Sequence, residues 1–233
     1  MSRKKTLAVL SGPSCVGKKP LRDALRRYFS EIKYGELVLC NSRKPRFIEE
    51  TQRYEAHGVD YYFLPRGLFA QLDRNRFAVA TVRTDIQAID IWQVMDLLED
   101  YDLILAEVYY TLGQELIEWA KRQKEFTFDI RTIGLLPLTD EELLNKALEE
   151  TKDPEKIIYE LMKGKLERRK EDDEDKIEKR ARTAFTEMIN IKQCYSNVIV
   201  NHAGEDAREE WKDPLSSEAE RVLDEFVAVL KQP

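Results

Sequence analysis

Residues 11–20 read SGPSCVGKKP. The preceding residues 5–10, KTLAVL, form an apolar run, and the segment after Lys18 carries leucines at the spacing of an amphipathic helix. A short apolar run is typical of a buried strand, and a glycine-containing turn commonly separates a strand from the element that follows. The stretch therefore predicts a strand, a turn and a helix in direct succession.

Within that turn, Gly12, Gly17 and Lys18 stand at the spacing GxxxxGK of a phosphate-binding loop. Glycines allow the backbone to curl until its N–H groups converge on phosphate oxygens, while the positive end of the helix and the lysine ammonium attract the anion. A tight turn without a ligand is the alternative, but it would explain the glycines and not Lys18. We predict that the phosphates of a nucleotide bind to Gly12, Ser14, Val16, Gly17, Lys18 and Lys19.

The residues after the lysine depart from the full motif. A Ser or Thr is expected there because its hydroxyl ligates Mg²⁺, whereas this chain has Lys19-Pro20. Either Lys19 neutralises phosphate charge in place of part of the metal's role, or the loop binds nucleotide without efficient transfer. Cys15 stands where the loop needs a small side chain, and size explains it more simply than thiol reactivity.

The composition argues against several classes of protein. The chain has 233 residues, of which 42% are hydrophobic and 35% are charged, and no apolar run approaches the length of a membrane span. We find no signal-peptide pattern, and the three cysteines have neither disulfide nor metal-ligand spacing. The net charge of −6 argues against general nucleic-acid binding. These features predict a cytoplasmic protein without membrane association and leave its oligomeric state open.

Apolar runs alternate with helix-period segments along most of the chain, which predicts a mainly parallel sheet covered by helices. The predicted strands are residues 36–40, 77–82, 102–106, 126–136 and 197–200. The predicted helices are residues 86–98, 112–122, 140–149, 155–168 and 216–230. Thr139 and Glu142 form a capping box, and Pro154 takes the first position of a helix. Residues 41–62 are polar and punctuated by Pro and Gly, which predicts an inserted lobe.

Three segments, in order, resemble guanylate kinases. The loop GPSCVGK is similar to the opening of that family, NSRKPR at residues 41–46 to its S/T-R-x-P-R, and EAHGVDYYF at residues 55–63 to its E-x-x-G-x-D-Y-x-F. The resemblance implies an α/β fold of the P-loop NTPase type, a three-layer sandwich with a central mainly parallel sheet, an inserted monophosphate-binding lobe and a helical lid. It implies one domain over residues 1–233, with a core of residues 1–34, 85–150 and 184–233, an acceptor lobe of residues 35–84, and an extra helix and lid over residues 151–183.

The resemblance also implies how an acceptor monophosphate would bind. Arg43 and Arg46 would grip its phosphate together with the Tyr61 hydroxyl, and Glu55 would accept hydrogen bonds from the guanine edge. The alternative is that the arginines are surface charges beside a proline turn and that the tyrosine packs on the lobe. Because the stretch between Arg46 and Glu55 is longer than in the family, Glu49 competes with Glu55 for the base-reading role.

The second half of the chain is similar to the family in outline. LLPLTDEEL at residues 135–143 resembles its segment after a strand, DKIEKRARTAFTEM at residues 175–188 its lid-exit helix, and YSNVIVN at residues 195–201 its last strand. The middle departs from it, because DLILAEV at residues 102–108 lacks the aspartates of the family's L-D-x-D-x-Q-G. Glu107 is the substitute candidate for an indirect contact to Mg²⁺, and a strand-end surface carboxylate is the alternative.

By the same resemblance, three arginines fall in or beside the lid that closes over the donor nucleotide. Arg168, Arg169 and Arg180 would stabilise charge on the transferring phosphoryl group, together with Lys18. The alternative is a solvated helix surface with ion pairs, since charges of both signs alternate there.

The function implied by the resemblance is ATP-dependent phosphoryl transfer to a nucleoside monophosphate, most simply a GMP-like acceptor, with ATP and Mg²⁺ as cofactors. A second interpretation is a catalytically weak member that uses the fold as a nucleotide-responsive or protein-binding module. Lys19-Pro20 and the missing aspartates favour the second interpretation, whereas Lys18 with Arg43 and Arg46 favours the enzyme.

Overall fold

The computed structural model describes residues 5–48, 51–123, 128–169 and 173–232. The elements, in chain order, are β1 (Thr6–Ser11), α1 (Lys18–Tyr28), β2 (Tyr34–Glu36), β3 (Cys40–Asn41), β4 (Phe47–Ile48), β5 (Arg53–Tyr54), β6 (Tyr62–Phe63), β7 (Phe77–Val82), β8 (Asp85–Asp90), α2 (Ile91–Asp100), β9 (Leu103–Glu107), α3 (Tyr110–Arg122), β10 (Asp129–Leu136), α4 (Asp140–Glu150), α5 (Pro154–Arg169), α6 (Glu174–Cys194), β11 (Asn197–Val200) and α7 (Ser217–Leu230). Short 3₁₀ helices also occur at Arg66–Gln71 and Arg208–Trp211.

Five strands form the central sheet, in the order β11-β10-β1-β9-β2. β2 pairs in parallel with β9, with Tyr34 opposite Leu103, and β10 pairs in parallel with β11, with Ile133 opposite Asn197. The middle strand, β1, is buried at every residue, as expected for a strand covered on both faces. The predicted α/β class with a central mainly parallel sheet is confirmed.

The chain divides into two compact units. Unit 1 comprises Met1–Val9 and Lys33–Arg131, and unit 2 comprises Leu10–Ile32 and Thr132–Pro233. The candidate phosphate loop therefore belongs to unit 2, whereas the predicted acceptor-binding residues belong to unit 1.

Unit 1 carries a second sheet, in the order β6-β3-β8-β7, and the short antiparallel hairpin of β4 and β5. The prediction of one strand over residues 36–40 is wrong in extent. The central-sheet strand β2 ends at Glu36, and the chain enters the second sheet at Cys40 as β3. The two ends of this apolar run therefore pair with different strands. β2 pairs with β9 in the central sheet, and β3 pairs with β6 and β8 in the second sheet.

The helix predicted over residues 86–98 is wrong in its first part. Residues 86–90 belong to β8, which pairs antiparallel with β7, and α2 begins at Ile91. Pairing with β7 outweighs helical spacing because it buries Ala88 and Ile89 fully. The side chain of Asp90 then accepts the Trp92 N–H and starts the helix.

Unit 2 is mainly helical around β10 and β11. The predicted capping box of Thr139 and Glu142 is present at the start of α4, and α5 begins at Pro154 as predicted. A Cβ atom on Gly134 of β10 would lie 2.2 Å from the Ile191 side chain, so only glycine allows α6 to approach this strand so closely.

The strand predicted over residues 126–136 is β10, which begins at Asp129; residues 126–127 lie outside the described residues. The interval 151–183, predicted to hold an extra helix and the lid, contains α5 and the first part of α6, and its residues 170–172 also lie outside the described residues. In the part of the chain that the structure describes, no helix has both the length and the apolar composition needed to cross a bilayer.

Candidate functional site

The candidate phosphate loop of unit 2 connects the end of β1 to the start of α1 through two glycines that no other residue can replace. Gly17 precedes the helix with φ 97°, in the left-handed region. An added Cβ would lie 2.3 Å from Nδ2 of Asn201 at Gly17, and 2.3 Å from the carbonyl oxygen of Leu135 at Gly12. The two glycines are therefore required by conformation and by close approach.

Lys18, the first residue of α1, is buried, and its side chain turns back over the loop. Its ammonium donates hydrogen bonds to the carbonyl oxygens of Gly12 at 2.9 Å and Pro13 at 3.0 Å. The first turn of α1 contains no acidic residue, so the helix dipole and the lysine charge have the same sign at this end. The local field therefore favours an anion.

Cys15 lies in the loop with φ 68° and is fully buried. Burial, the largest cause, together with the Glu205 and Asp206 carboxylates, raises the pKa of its thiol to about 11, while Arg169 and Lys165 oppose the shift. The thiol is therefore neutral near pH 7, in agreement with the prediction that size accounts for it. The same interactions show that these four charged side chains surround the middle of the loop.

The turn after β11 holds the loop from one side. Asn201 is completely buried, and its Nδ2 donates to the carbonyl oxygens of Val16 at 2.7 Å and Ala203 at 2.9 Å. The backbone N–H of Glu205 donates to the carbonyl oxygen of Cys15 at 3.2 Å.

The predicted lid arginines at the end of α5 reach this same turn. Arg168 donates from Nε and Nη2 to one carboxylate oxygen of Asp206 at 2.9 and 2.7 Å, and Arg169 donates to Glu205 at 2.7 Å. Arg180 lies further along, on α6, and is half-buried. The structure therefore brings Arg168 and Arg169 to the surroundings of the phosphate loop, each with an acidic partner.

The four predicted acceptor residues lie together in unit 1. Arg43 and Glu55 form a bidentate ion pair, with one contact of 2.6 Å from Nη2 to Oε1 and a second, shorter one from Nη1 to Oε2. The backbone N–H of Arg46 donates to the same carboxylate at 2.7 Å. Burial opposes the ionisation of Glu55, but the hydrogen bonds from Arg43 and Arg46 outweigh it and lower the pKa of this carboxyl.

Tyr61 lies beside that ion pair, with its ring centre 4.8 Å from the Arg43 guanidinium. Burial, the main cause, raises the pKa of its hydroxyl; Arg43 opposes this, and the Glu107 carboxylate adds to it. Glu107, the last residue of β9, therefore acts on the same cluster within unit 1. Glu49, the predicted competitor of Glu55, lies outside the described residues.

Comparison with known proteins points to one family, although no family model matches the chain. A guanylate kinase from Latilactobacillus sakei subsp. sakei (strain 23K) is 25% identical over 237 residues, 97% of each chain. A guanylate kinase from Shouchella clausii (strain KSM-K16) is 42% identical over 73 residues, 31% of this chain and 32% of that protein. The crystal structure of guanylate kinase from Anaplasma phagocytophilum shares the fold, with a TM-score of 0.54 at 19% identity, over 100% of this chain and 89% of that chain. The chain is guanylate kinase-like.

The guanylate kinase-like loop does not offer the metal ligand that the full motif implies. Lys19 is exposed at the position of the hydroxyl, and a protonated ammonium has no lone pair to donate to Mg²⁺. Within the described ranges, no group of three or more His, Cys, Asp or Glu side chains could hold a metal ion. The described residues of the loop therefore do not fit a metal held by protein ligands.

Sequence reasoning assigned the support of the loop to no residue, whereas the structure shows four polar residues in that position: Asn201, Glu205, Asp206 and Lys165. A positional signal was present. Asn201 directly follows a buried strand, and ligand sites of parallel sheets form at the carboxyl ends of their strands. The acidic pair that begins four residues further on has no such signal, because its partners are more than thirty residues away in the chain.

Proposed function

We propose that this guanylate kinase-like chain catalyses ATP-dependent phosphoryl transfer to a nucleoside monophosphate, with a GMP-like acceptor. The observation that carries the proposal is the phosphate loop, in which Gly17 holds a left-handed conformation and the buried Lys18 ammonium lies across the loop. The match to a guanylate kinase over nearly the whole chain supports the same class of reaction. We also propose a cytoplasmic location, since all three cysteines are free thiols, as is usual in a reducing compartment.

In this reaction an oxygen of the acceptor phosphate attacks the γ-phosphorus of ATP. A new P–O bond forms, the bond to the β-phosphate oxygen breaks, and ADP leaves. Catalysis of this kind is mostly positioning and charge stabilisation. Mg²⁺ would arrive bound to the phosphates of ATP and would screen their charge.

The donor phosphates are proposed to bind the loop residues Gly12, Ser14, Val16, Gly17, Lys18 and Lys19. On binding, the Lys18 ammonium would exchange the carbonyl oxygens of Gly12 and Pro13 for phosphate oxygens. The exchange is favourable because phosphate oxygens carry a negative charge that carbonyl oxygens lack, which adds Coulombic attraction to the ammonium. Arg168, Arg169 and Arg180 are proposed to stabilise the charge of the transferring group.

The acceptor phosphate is proposed to bind Arg43, Arg46 and the Tyr61 hydroxyl. Arg43 already pairs with Glu55, so the acceptor phosphate has to replace that carboxylate on the guanidinium, one anion for another. The released Glu55 carboxylate could then accept hydrogen bonds from the base. Glu107 remains a candidate for an indirect contact to the metal of the bound nucleotide.

One observation favours a second candidate function, a catalytically weak nucleotide-responsive or protein-binding module. The side chains of Arg43 and Glu55 are only 11% and 12% exposed, and both carboxylate oxygens of Glu55 accept from Arg43. A buried ion pair of this kind can have a purely structural role, because separating its partners strongly destabilises the folded lobe. Together with Lys19-Pro20, it would leave the fold with nucleotide affinity but without efficient transfer.

An ADP-release assay with ATP and Mg²⁺ over GMP, dGMP, AMP, UMP and CMP separates the two candidates. For the kinase we expect turnover with a guanine nucleotide, and Arg46→Ala should raise the acceptor KM about tenfold without changing the ATP KM. Arg53→Ala is the matched control, because Arg53 is exposed in the same lobe and pairs with Asp60. ATP binding without turnover on any acceptor would refute the kinase and support the module.

A further inference from the structure

The carbonyl oxygens of two consecutive loop residues both face the turn Asn201–Asp206, which we call the anchoring segment. The carbonyl of Val16 accepts the Asn201 amide, and the carbonyl of Cys15 accepts the Glu205 N–H. In a trans peptide the C=O and the next N–H point in opposite directions. Fixing the Val16 carbonyl on the anchoring segment therefore turns the Gly17 N–H the other way, as a phosphate ligand requires.

The Asn201 side chain is held by three hydrogen bonds. Its two N–H groups go to Val16 and Ala203, and its Oδ1 accepts the Ala203 N–H at 3.0 Å. Its side chain also fills the space that a Cβ of residue 17 would occupy. Asn201 and Gly17 are therefore matched to each other, and the buried amide acts as a support for the loop.

The anchoring segment is in turn bound to the last turns of α5. Lys165 donates to the His202 carbonyl at 2.8 Å and pairs with Asp206 at 3.4 Å, and both side chains are at most 7% exposed. The Asp206 carboxylate also accepts hydrogen bonds from Arg168, and the Glu205 carboxylate accepts one from Arg169. A buried ammonium is costly without its carboxylate, so this cluster holds the segment in one arrangement.

These five side chains carry three positive and two negative charges, so the cluster beside Cys15 keeps a net positive charge. The carboxylates thus hold the cations near the loop without cancelling their field. We propose that Asn201 and Asp206 are positioning residues for the phosphate loop, and that Asp206 couples the loop to Arg168 of α5. This inference rests on the proposed role of the loop in binding nucleotide phosphates.

The test uses the full chain with Asn201→Ala, Asp206→Asn and Arg168→Gln. Glu178→Gln is the control, because Glu178 also links α5 to α6. It forms an ion pair with Arg182 of the same helix, α6, and accepts a hydrogen bond from the Tyr159 hydroxyl of α5. Two quantities are measured below the melting temperature of each variant: hydrogen exchange of the amides of residues 14–18 without nucleotide, and the Kd of ATP.

We expect exchange of these amides to be about tenfold faster, and ATP to bind about tenfold more weakly, in Asn201→Ala and Asp206→Asn, with no change in the control. Arg168→Gln should weaken ATP binding about threefold in the wild-type background. In a double variant that also carries Asp206→Asn, it should have no further effect. A general loss of stability would lower the melting temperature while leaving the ATP Kd of the folded variant unchanged.

Folded variants with wild-type loop exchange and wild-type Kd would overturn the inference. If Asn201→Ala does not fold, the inference is tested with Asp206→Asn alone, since this substitution preserves the shape of the side chain. If the wild-type chain does not bind ATP, the proposed function fails, whereas the exchange rates still decide whether the anchoring segment positions the loop.

Discussion

The phosphate loop and the acceptor-lobe cluster differ in what their charged side chains are bound to. Lys18 donates to neutral carbonyl oxygens of its own loop. Arg43, in contrast, is bound to a carboxylate in a pair that is almost excluded from solvent. An incoming phosphate replaces weak partners at the first position and a strong partner at the second. The loop is thus ready to bind an anion, whereas the lobe has to rearrange or serve another purpose.

The largest expected effect lies at the loop. Lys18→Ala should weaken ATP binding about 100-fold, because two or more charge-assisted hydrogen bonds to phosphate are lost. Isothermal titration with ATP measures it. Arg26→Ala is the matched control, since Arg26 is an exposed cation on the same helix, and we expect a change of at most about threefold. Equal effects of the two substitutions would show that the loop attracts ATP by general charge alone.

The difference between the two regions also explains what could be predicted from the sequence. The loop is specified by backbone geometry, and its glycines and lysine are neighbours in the chain, so spacing reveals it. The structure places the lobe residues close together, but the sequence does not reveal their pairing, because Arg43 meets Glu55 through the fold of the hairpin between them. Local spacing likewise could not place Asp206 on Lys165, which is 41 residues away in sequence.

The next effect concerns the ion pair of the lobe. A double-mutant cycle with Arg43→Gln and Glu55→Gln, measured by urea unfolding, should give a coupling of about 2 kcal/mol, since each single change leaves a buried partner unsatisfied. The exposed pair Arg53–Asp60 in the same lobe is the control and should show no resolvable coupling. A coupling near zero for Arg43 and Glu55 would mean that the pair opens readily, and would favour their role as ligands.

A smaller effect is the pH dependence of the network behind the loop. Both ring nitrogens of His202 lie within 3.0 Å of carboxylates, Nε2 of Glu142 and Nδ1 of Glu218. Burial opposes the ionisation of Glu218, but hydrogen bonds from Arg221 and His202 outweigh it and lower the pKa of its carboxyl from 4.5 to about 2.

A carboxyl whose pKa is lower in the folded chain stabilises the fold above its unfolded pKa and loses that contribution as pH falls. The melting temperature of wild type should therefore exceed that of Glu218→Gln by about 2 °C at pH 6, and the difference should shrink between pH 5 and pH 2. Glu220→Gln, an exposed carboxylate on the same helix, is the control. A difference that does not depend on pH would assign Glu218 a role in packing and not in charge.

The smallest expected effect tests the position at which the loop departs from its motif. Lys19 supplies a charge where other loops supply a hydroxyl, so ATP affinity of the wild-type chain should change only about threefold between Mg²⁺ and EDTA. Lys19→Thr should increase that ratio to about tenfold, because the hydroxyl can ligate the metal and the second ammonium is gone. An unchanged ratio would mean that the side chain after Lys18 does not face the phosphates, and the loop's readiness for anions would then rest on Lys18 and the anchored backbone alone.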